Sequence, residues 1–370
     1  MASKSKAAGA GQALNVKDFG AKGDGAADDT AAIQRALDAA GPIRGTVFVP
    51  DGIYLCSTVR MPPHTGLVGN ATWGYREFGG STLVLNNASA KCLIDITGAV
   101  GATVNGLSLR GESLGQDVHG ILMAEFPEKK EEDTPRIERC HISKFTGDGI
   151  RLEPVWCFSI RSCEIIFNQG NALYVRGWDG FILDNWFSGN GKAGYAAPGP
   201  NASVTMTGNR IEWNKGGGIQ IRGGSHYNIT GNYIDRSGGP GICLMSREDG
   251  APCFCFTVTG NVIYRSGKPE WTTDDLASSH VRFEECRGLV FSGNSMCQGQ
   301  DDGGGKMSPS YGMVLCGLKN SIIKDNTMHI GALKELVKDL GGHGDGTIIK
   351  DNVGSLFKDE GKSIWASGQI

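Results

Sequence analysis

Three features predict an all-β chain wound as a stacked parallel β-solenoid. A phrase of about two dozen residues recurs, 57 of 370 residues are glycine, and period-two apolar runs break at those glycines. Residues 203–244 carry the phrase twice, roughly apolar-x-apolar-x-Gly-Asn-x-Ile, four residues, then Gly-Gly-x-Gly-Ile-x-Ile. Asn185, Asn209 and Asn232 align at steps of 24 and 23 residues, and Cys163 and Cys140 continue the series upstream at 22 and 23. Asn261, Asn294, Asn326 and Asn352 follow at 29, 33, 32 and 26. The longer steps place loops near 250–254, 268–279, 298–310 and 332–344, on the surface of a register that survives them. Each coil supplies an inward row of Ile, Val and Leu. The recurring Asn reads as a ladder whose amides bond from coil to coil.

The repeat argues for one elongated domain over 14–357, with regular coils at about 137–353 and tails at 1–13 and 358–370. In the N-terminal stretch, Asp28 or Asp29 caps a helix at about 28–40 with Ile33, Ala36 and Leu37 on one face, ended by Gly41-Pro42. A strand at 46–50 and an Asp-Gly turn follow. Such a helix plugs the open end of a solenoid. The loop at 72–80 overhangs one face, the charged loop at 126–135 is solvated, and 333–340 reads as a short helix.

Net charge is −3 with signs interspersed, so no electrostatic footprint for nucleic acid exists. No stretch has transmembrane length. The first residues lack an apolar core, which fits a flexible tail in a cytoplasmic chain or in the mature form of an exported one. The eleven cysteines show no zinc spacing. Cys140 and Cys163, one coil apart at about 4.8 Å, read either as a disulfide or as small buried residues of the ladder.

The stretch VKDFGAKGDGAADDTAAIQRALDAA, with GTVFVPDGIY after it, resembles the opening of the pectate-lyase-like, polygalacturonase-related right-handed β-helix proteins. The resemblance implies a right-handed parallel β-helix with a short N-terminal capping α-helix, and a polysaccharide or oligosaccharide as ligand. The family includes glycoside hydrolases, polysaccharide lyases, uronan C5-epimerases and tailspikes, so it leaves the chemistry open. Its Asn-x-Asp, Asp-Asp, His-Gly, Arg-x-Lys hydrolase set is not found. The epimerase signature Asp-Pro-His-Glu is replaced by Arg151-Leu152-Glu153-Pro154.

Register selects the candidate residues. One outward row reads Ser143, Ile166, Phe187, Glu212, Asp235, Tyr264, Cys297, which stacks Glu212 on Asp235. Two carboxylates so placed suit acid and base, or acid and nucleophile, in glycosidic cleavage, and about 5–5.5 Å between them would suit a retaining mechanism. Arg210 and Arg236 beside them equally suit a structural pair. A second row reads Arg151, Tyr174, Ala196, Gln220, Cys243, Arg282, Val314, and the row beside it Glu153, Arg176, Pro198, Arg222, Met245, Glu284, Cys316. Glu153, Arg176, Arg222, Arg282 and Glu284 therefore form a stripe, with Trp178, Trp213 and Tyr195 near it and Trp156 and Trp271 in turns. Arginine beside aromatic rings suits a sugar, anionic or neutral. His280 is an acid/base alternate. Asp274-Asp275 and Asp301-Asp302 are the one oxygen-rich option for Ca²⁺, against solvated loop charge; no cofactor is otherwise expected.

The leading expectation is a glycoside hydrolase using Glu212 and Asp235, with Glu153 in reserve. Arg176, Arg222, Trp178, Trp213, Tyr195, Arg236, Arg282, Glu284 and His280 are the substrate-side residues. The alternatives are a lyase or C5-epimerase of uronic acids, in which Arg176, Arg222 or Arg282 neutralises the carboxylate, and a non-catalytic tailspike-like binder. The chain is expected as a monomer or homotrimer, with no nucleic-acid or membrane partner.

Overall fold

The computed structural model describes residues 13–127, 131–268, 272, 274–299 and 308–357. Strand pairing runs from Leu14–Asn15 to Val353–Leu356, and each coil pairs in parallel with the next. The coil beginning at Ile150 shows the plan. The strand Ile150–Arg161 bends at Cys157, where the backbone is left-handed (φ 59°), so one strand serves two faces. A two-residue turn at Ser162 and Cys163 leads to the third face, Glu164–Ile166. A left-handed residue, Phe167, then turns the chain back toward the first face. The first bend repeats at Asp179, Ser203, His226 and Cys255, which keeps the three faces aligned through the stack.

Alternation along each short strand decides what is buried. On the third face Leu109, Ile142, Ile165, Phe187, Ile211, Ile234 and Ile263 stack in register and are wholly buried. Each such side chain contributes about 1.5–3 kcal/mol against exposure.

The asparagine ladder is formed as the repeat implies. Asn185 Nδ2 donates to Asn209 Oδ1 at 3.0 Å and Asn209 Nδ2 to Asn232 Oδ1 at 2.9 Å, and the series continues to Asn352. Each Oδ1 also accepts the backbone N–H of the preceding asparagine, and each Nδ2 reaches a strand carbonyl. Cys163 N–H bonds Asn185 Oδ1 at the upper end, and all eleven cysteines are free thiols. Cys140 and Cys163 are thus buried ladder positions without a disulfide. A second ladder, Asn168–Asn190–Asn214, spans the turn after the third face.

The helix Thr30–Ala40 buries Ala32, Ile33, Ala36, Leu37 and Ala40 against the first coil. Asp29 is the N-cap residue without a side-chain cap bond, and Asp28, one residue earlier, accepts from Thr30 N at 2.9 Å. Asp29 instead accepts from Lys22 N and Gly23 N, tying down the turn before the helix. Gly23 has φ +60° and sits so close to the Tyr54 ring that a Cβ would lie 2.6 Å from it.

At 333–340 the chain is not a helix. Glu335–Asp339 is a strand paired with Tyr311–Cys316, because the last coils present an edge whose backbone groups a helix would leave unpaired. Among the described residues no helix is long and apolar enough to cross a membrane. The N-terminal residues 1–12, Trp271, Asp301, Asp302 and the C-terminal tail lie outside the described residues.

Candidate active site

Two outward surfaces carry the charged rows, and they differ in cover. On the third face Glu212 and Asp235 do pair in register, with Arg210 opposite Tyr233 beside them. The same column holds Ser188 rather than Phe187, which faces the core opposite Ile211. Both carboxylates are under protein: Glu212 is 4% exposed and Asp235 1%. Glu212 Oε1 accepts from Trp186 Nε1 at 2.8 Å and its Oε2 from Arg210 Nε at 2.8 Å, while Asp235 pairs with Arg236.

The loop at 72–80 overhangs this face. Tyr75 stacks on Trp186 at 4.6 Å between ring centroids, its hydroxyl lies 2.6 Å from Ser188 Oγ, and Trp73 stands 6.0 Å from His141. Further along, Arg236 and Lys268 each lie 4.8 Å from the Trp213 ring centre. Glu212 and Asp235 are thus buried beneath this covered face and held by Trp186, Arg210 and Arg236. Trp213 and Arg236 belong to the same cover rather than to the arginine stripe.

Two more expected contacts turn inward. Tyr195 is fully buried, its hydroxyl 2.9 Å from that of Tyr227, which bonds Asn201 Oδ1 at 2.7 Å. His280 lies in a column otherwise made of Ala172, Gly194, Gly218, Gly241 and Gly312, whose side-chain direction is the core: a Cβ on Gly218 would lie 2.8 Å from Ile234. Burial pushes the His280 imidazole down to about 3. Neither residue reaches solvent.

The first face carries the open stripe. Arg151, Tyr174, Ala196, Gln220, Cys243, Arg282 and Val314 are in register, with Glu153, Arg176, Pro198, Arg222, Met245, Glu284 and Cys316 along the neighbouring row. Its first end is the more elaborate. Arg151 Nη1 reaches Asp148 Oδ2 at 2.9 Å, Nη2 reaches Glu153 Oε2 at 2.5 Å, and the guanidinium lies 3.9 Å from the Tyr174 ring centre. Glu153 Oε1 is also 3.9 Å from Arg176 Nε. Burial works against the charge on Arg151, but its hydrogen bond to Asp148 and the Glu153 charge outweigh it and raise its pKa. Burial, reinforced by Glu153, raises the Tyr174 phenol, so this side chain is a proton donor at neutral pH.

Behind them Asp148 Oδ1 accepts from Asn171 N and Nδ2 at 2.7 and 2.8 Å. His119 Nδ1 accepts the Asp148 N–H at 2.9 Å, which leaves its proton on Nε2, and burial lowers its pKa. At the other end Arg282 bonds Glu284 Oε1 at 2.6 Å and also Asp274. Between the ends, Ala196, Pro198, Cys243 and Met245 make a low floor beside Arg176 and the exposed Arg222. Trp178, 41% exposed, stands two residues beyond Arg176 at the bend.

Residue type and spacing did not single out Asp148, His119 or Tyr174 as partners of Arg151. The available signal was the shared slot of Asp148 and Asn171 before the Gly-Ile and Ala-Leu strand starts. Asp274 is engaged by Arg282, and Asp275 by Tyr311 and Lys334. Among the described residues no three His, Cys, Asp or Glu side chains converge as a metal cluster.

The model of the family described as rhamnogalacturonase A/epimerase, pectate lyase-like, matches residues 13–243, and that of the right handed beta helix region matches residues 199–344. The mannuronan C5-epimerase AlgE3 of Azotobacter vinelandii is 28% identical over 236 residues, which is 58% of this chain but 12% of the epimerase. The chain thus spans about an eighth of that relative's length. Among solved structures, the Dettilon tailspike protein gp208 has a TM-score of 0.67 at 14% identity, over 93% of this chain and 68% of the other. The A-module of the Azotobacter vinelandii mannuronan C-5 epimerase AlgE4 has a TM-score of 0.59 at 17% identity, over 94% and 98%. These likenesses are of fold, and the family match covers more than half the sequence. The chain belongs to the rhamnogalacturonase A/epimerase, pectate lyase-like family and is a right-handed parallel β-helix.

Proposed function

We propose that this chain acts on a uronate-containing polysaccharide laid along the first face, by removing the proton at C5 of a uronic acid. The observation that carries the reading is the open stripe itself: Arg176 and Arg222 lie two coils apart in one outward row, about 10 Å by strand spacing, at the edge of a low floor. Their guanidinium groups suit carboxylates of an extended anionic chain. The similarity to a mannuronan C5-epimerase supports the same substrate class.

In this reading Arg176 neutralises the uronate carboxylate, which acidifies C5–H and stabilises the enolate formed when the proton leaves. Glu153, 3.9 Å from Arg176 and held on its other oxygen by Arg151, is the base. Tyr174 keeps its proton and is the acid. Donation to the O4 leaving group completes an elimination and yields an unsaturated uronate. Donation to the opposite face of C5 completes an epimerisation. A hydrolase reading would require an exposed carboxylate pair, and the pair that register selected is buried.

The test is a panel of uronate polysaccharides followed by ultraviolet absorbance of unsaturated uronate and by deuterium uptake at C5 in D₂O. Either signal is expected, falling at least 100-fold in Glu153→Gln and in Arg176→Ala with folding intact. New reducing ends without either signal would refute the proposal.

A further inference from the structure

We infer that the left-handed bend between the first and second faces holds a second, non-catalytic site for a neutral sugar. A cavity of about 390 Å³ opens there, lined by Arg136, Cys157, Ser159, Asp179, Phe181, Ser203 and neighbouring backbone. Phe181, 50% exposed, lines it, and Trp156 at 40% and Trp178 at 41% each immediately precede a lining residue, Cys157 and Asp179. Trp156 and Trp178 are opposite each other in register, one coil and about 4.8 Å apart.

Exposed rings are costly unless something covers them, and a folded chain rarely groups three on one ridge. Here the geometry holds them in place. Trp156 Nε1 donates to Asp179 Oδ2 at 2.7 Å, which fixes one indole, and Arg161 lies 6.0 Å from the Phe181 ring centre. Gly180 faces the core beneath the bend and leaves room there for the buried Phe158 ring, which a Cβ would approach to 2.1 Å.

The lining decides the ligand class. Flat rings stack on the apolar face of a pyranose, while Ser159, Ser203 and Thr205 offer hydroxyls to its rim. Arg136 and Asp179 bring opposite charges to the lining, so it carries no net positive charge to draw a uronate, and the Asp179 carboxylate accepts from sugar hydroxyls. The site therefore differs from the arginine stripe in the charge of the sugar it takes, and it depends on the proposed function only for the ligand being carbohydrate. Its use would be to hold a neutral stretch or branch of a polysaccharide while a uronate lies on the first face.

Isothermal titration calorimetry with neutral gluco- and manno-hexaoses tests this in the whole chain, beside Phe181→Ala and Trp156→Ala. Saturable binding that is little changed by added salt, weakened at least tenfold by each substitution, is the expected result. C5 turnover of a short uronate substrate should be unaffected by Phe181→Ala. No heat with any neutral hexaose at millimolar concentration would overturn the inference. So would neutral-sugar binding that survives both substitutions, or that is lost in Arg176→Ala instead. Because Glu153→Gln abolishes only the proposed chemistry, failure of the catalytic reading leaves the neutral-sugar measurement intact.

Discussion

Arg151 lies 3.9 Å above the centre of the Tyr174 ring, one coil away, and in that pose its nitrogens meet both Asp148 and Glu153. One cation thus organises a phenol and two carboxylates at one end of the stripe. Asp148 has 4% of its side chain exposed, so it depends on this partner more than Glu153, at 27%, does. Arg151→Met is expected to cost about 2–3 kcal/mol, below the range for breaking a wholly buried pair because the guanidinium is partly solvated. Denaturant unfolding measures it. Arg151→Lys should recover part of the stability but not the simultaneous hold on Asp148 and Glu153, and an unchanged midpoint in Arg151→Met would sink the account.

The ladder makes a sharper stability prediction. Asn209 is 1% exposed, and its Nδ2 is shared between Ile182 O and Asn232 Oδ1 while its Oδ1 accepts from Asn185. Asn209→Ala removes the bonds of one rung and leaves buried partners on both sides, at about 1–3 kcal/mol for each unsatisfied group. A total loss of at least about 3 kcal/mol is expected. The same change at Asn352, the end of the ladder with one asparagine neighbour, should cost clearly less. Equal losses at the two positions would mean the rungs do not act through their neighbours.

The architecture was legible because it is written in register. Asn209 to Asn232 is one coil, and once that step is known the pairing of Glu212 with Asp235 and of Gln220 with Cys243 follows from counting. Burial from above was not legible. Nothing in the spacing of Glu212 says that Tyr75, more than a hundred residues earlier, lies across Trp186 beside it. His280 misled for a related reason: its neighbours Arg282 and Glu284 are outward, and only the glycine column it interrupts shows that it faces the core. The strand at Glu335–Asp339 was missed because an edge to be paired outweighed a locally helical composition.

Three buried histidines give the fold an acid limit. Burial lowers His119, holds His141 at about 4 and His280 at about 3, all below the ordinary value near 6.5. Each is neutral in the folded chain, and the unfolded chain binds more protons below that value. Their stabilisation is thus fully present above pH about 6.5 and is lost as pH falls toward about 4 and then about 3, each site adding a slope of up to about 1.4 kcal/mol per pH unit. Stability measured from pH 7 to 4 should fall steeply, and His280→Leu should flatten the slope by about one proton. A slope unchanged in that variant would show that His280 does not contribute to the acid limit.

Tyr75 provides the last test, because it asks whether the loop at 72–80 belongs to the fold or to a removable lid. Its ring stacks on Trp186 and meets Phe167 edge-on at 5.7 Å, and its hydroxyl bonds Ser188. A contact set of that kind, half-buried, is worth roughly 1–2 kcal/mol. Tyr75→Ala is expected to lower stability by that amount and to raise quenching of Trp186 by acrylamide, while leaving uronate turnover on the first face unchanged. The Tyr75 ring and hydroxyl contacts lie at the third face, so a drop in turnover would place the chemistry beneath the loop and return Glu212 to consideration. Increased quenching with turnover intact would instead fix the loop as a permanent roof over the buried carboxylates.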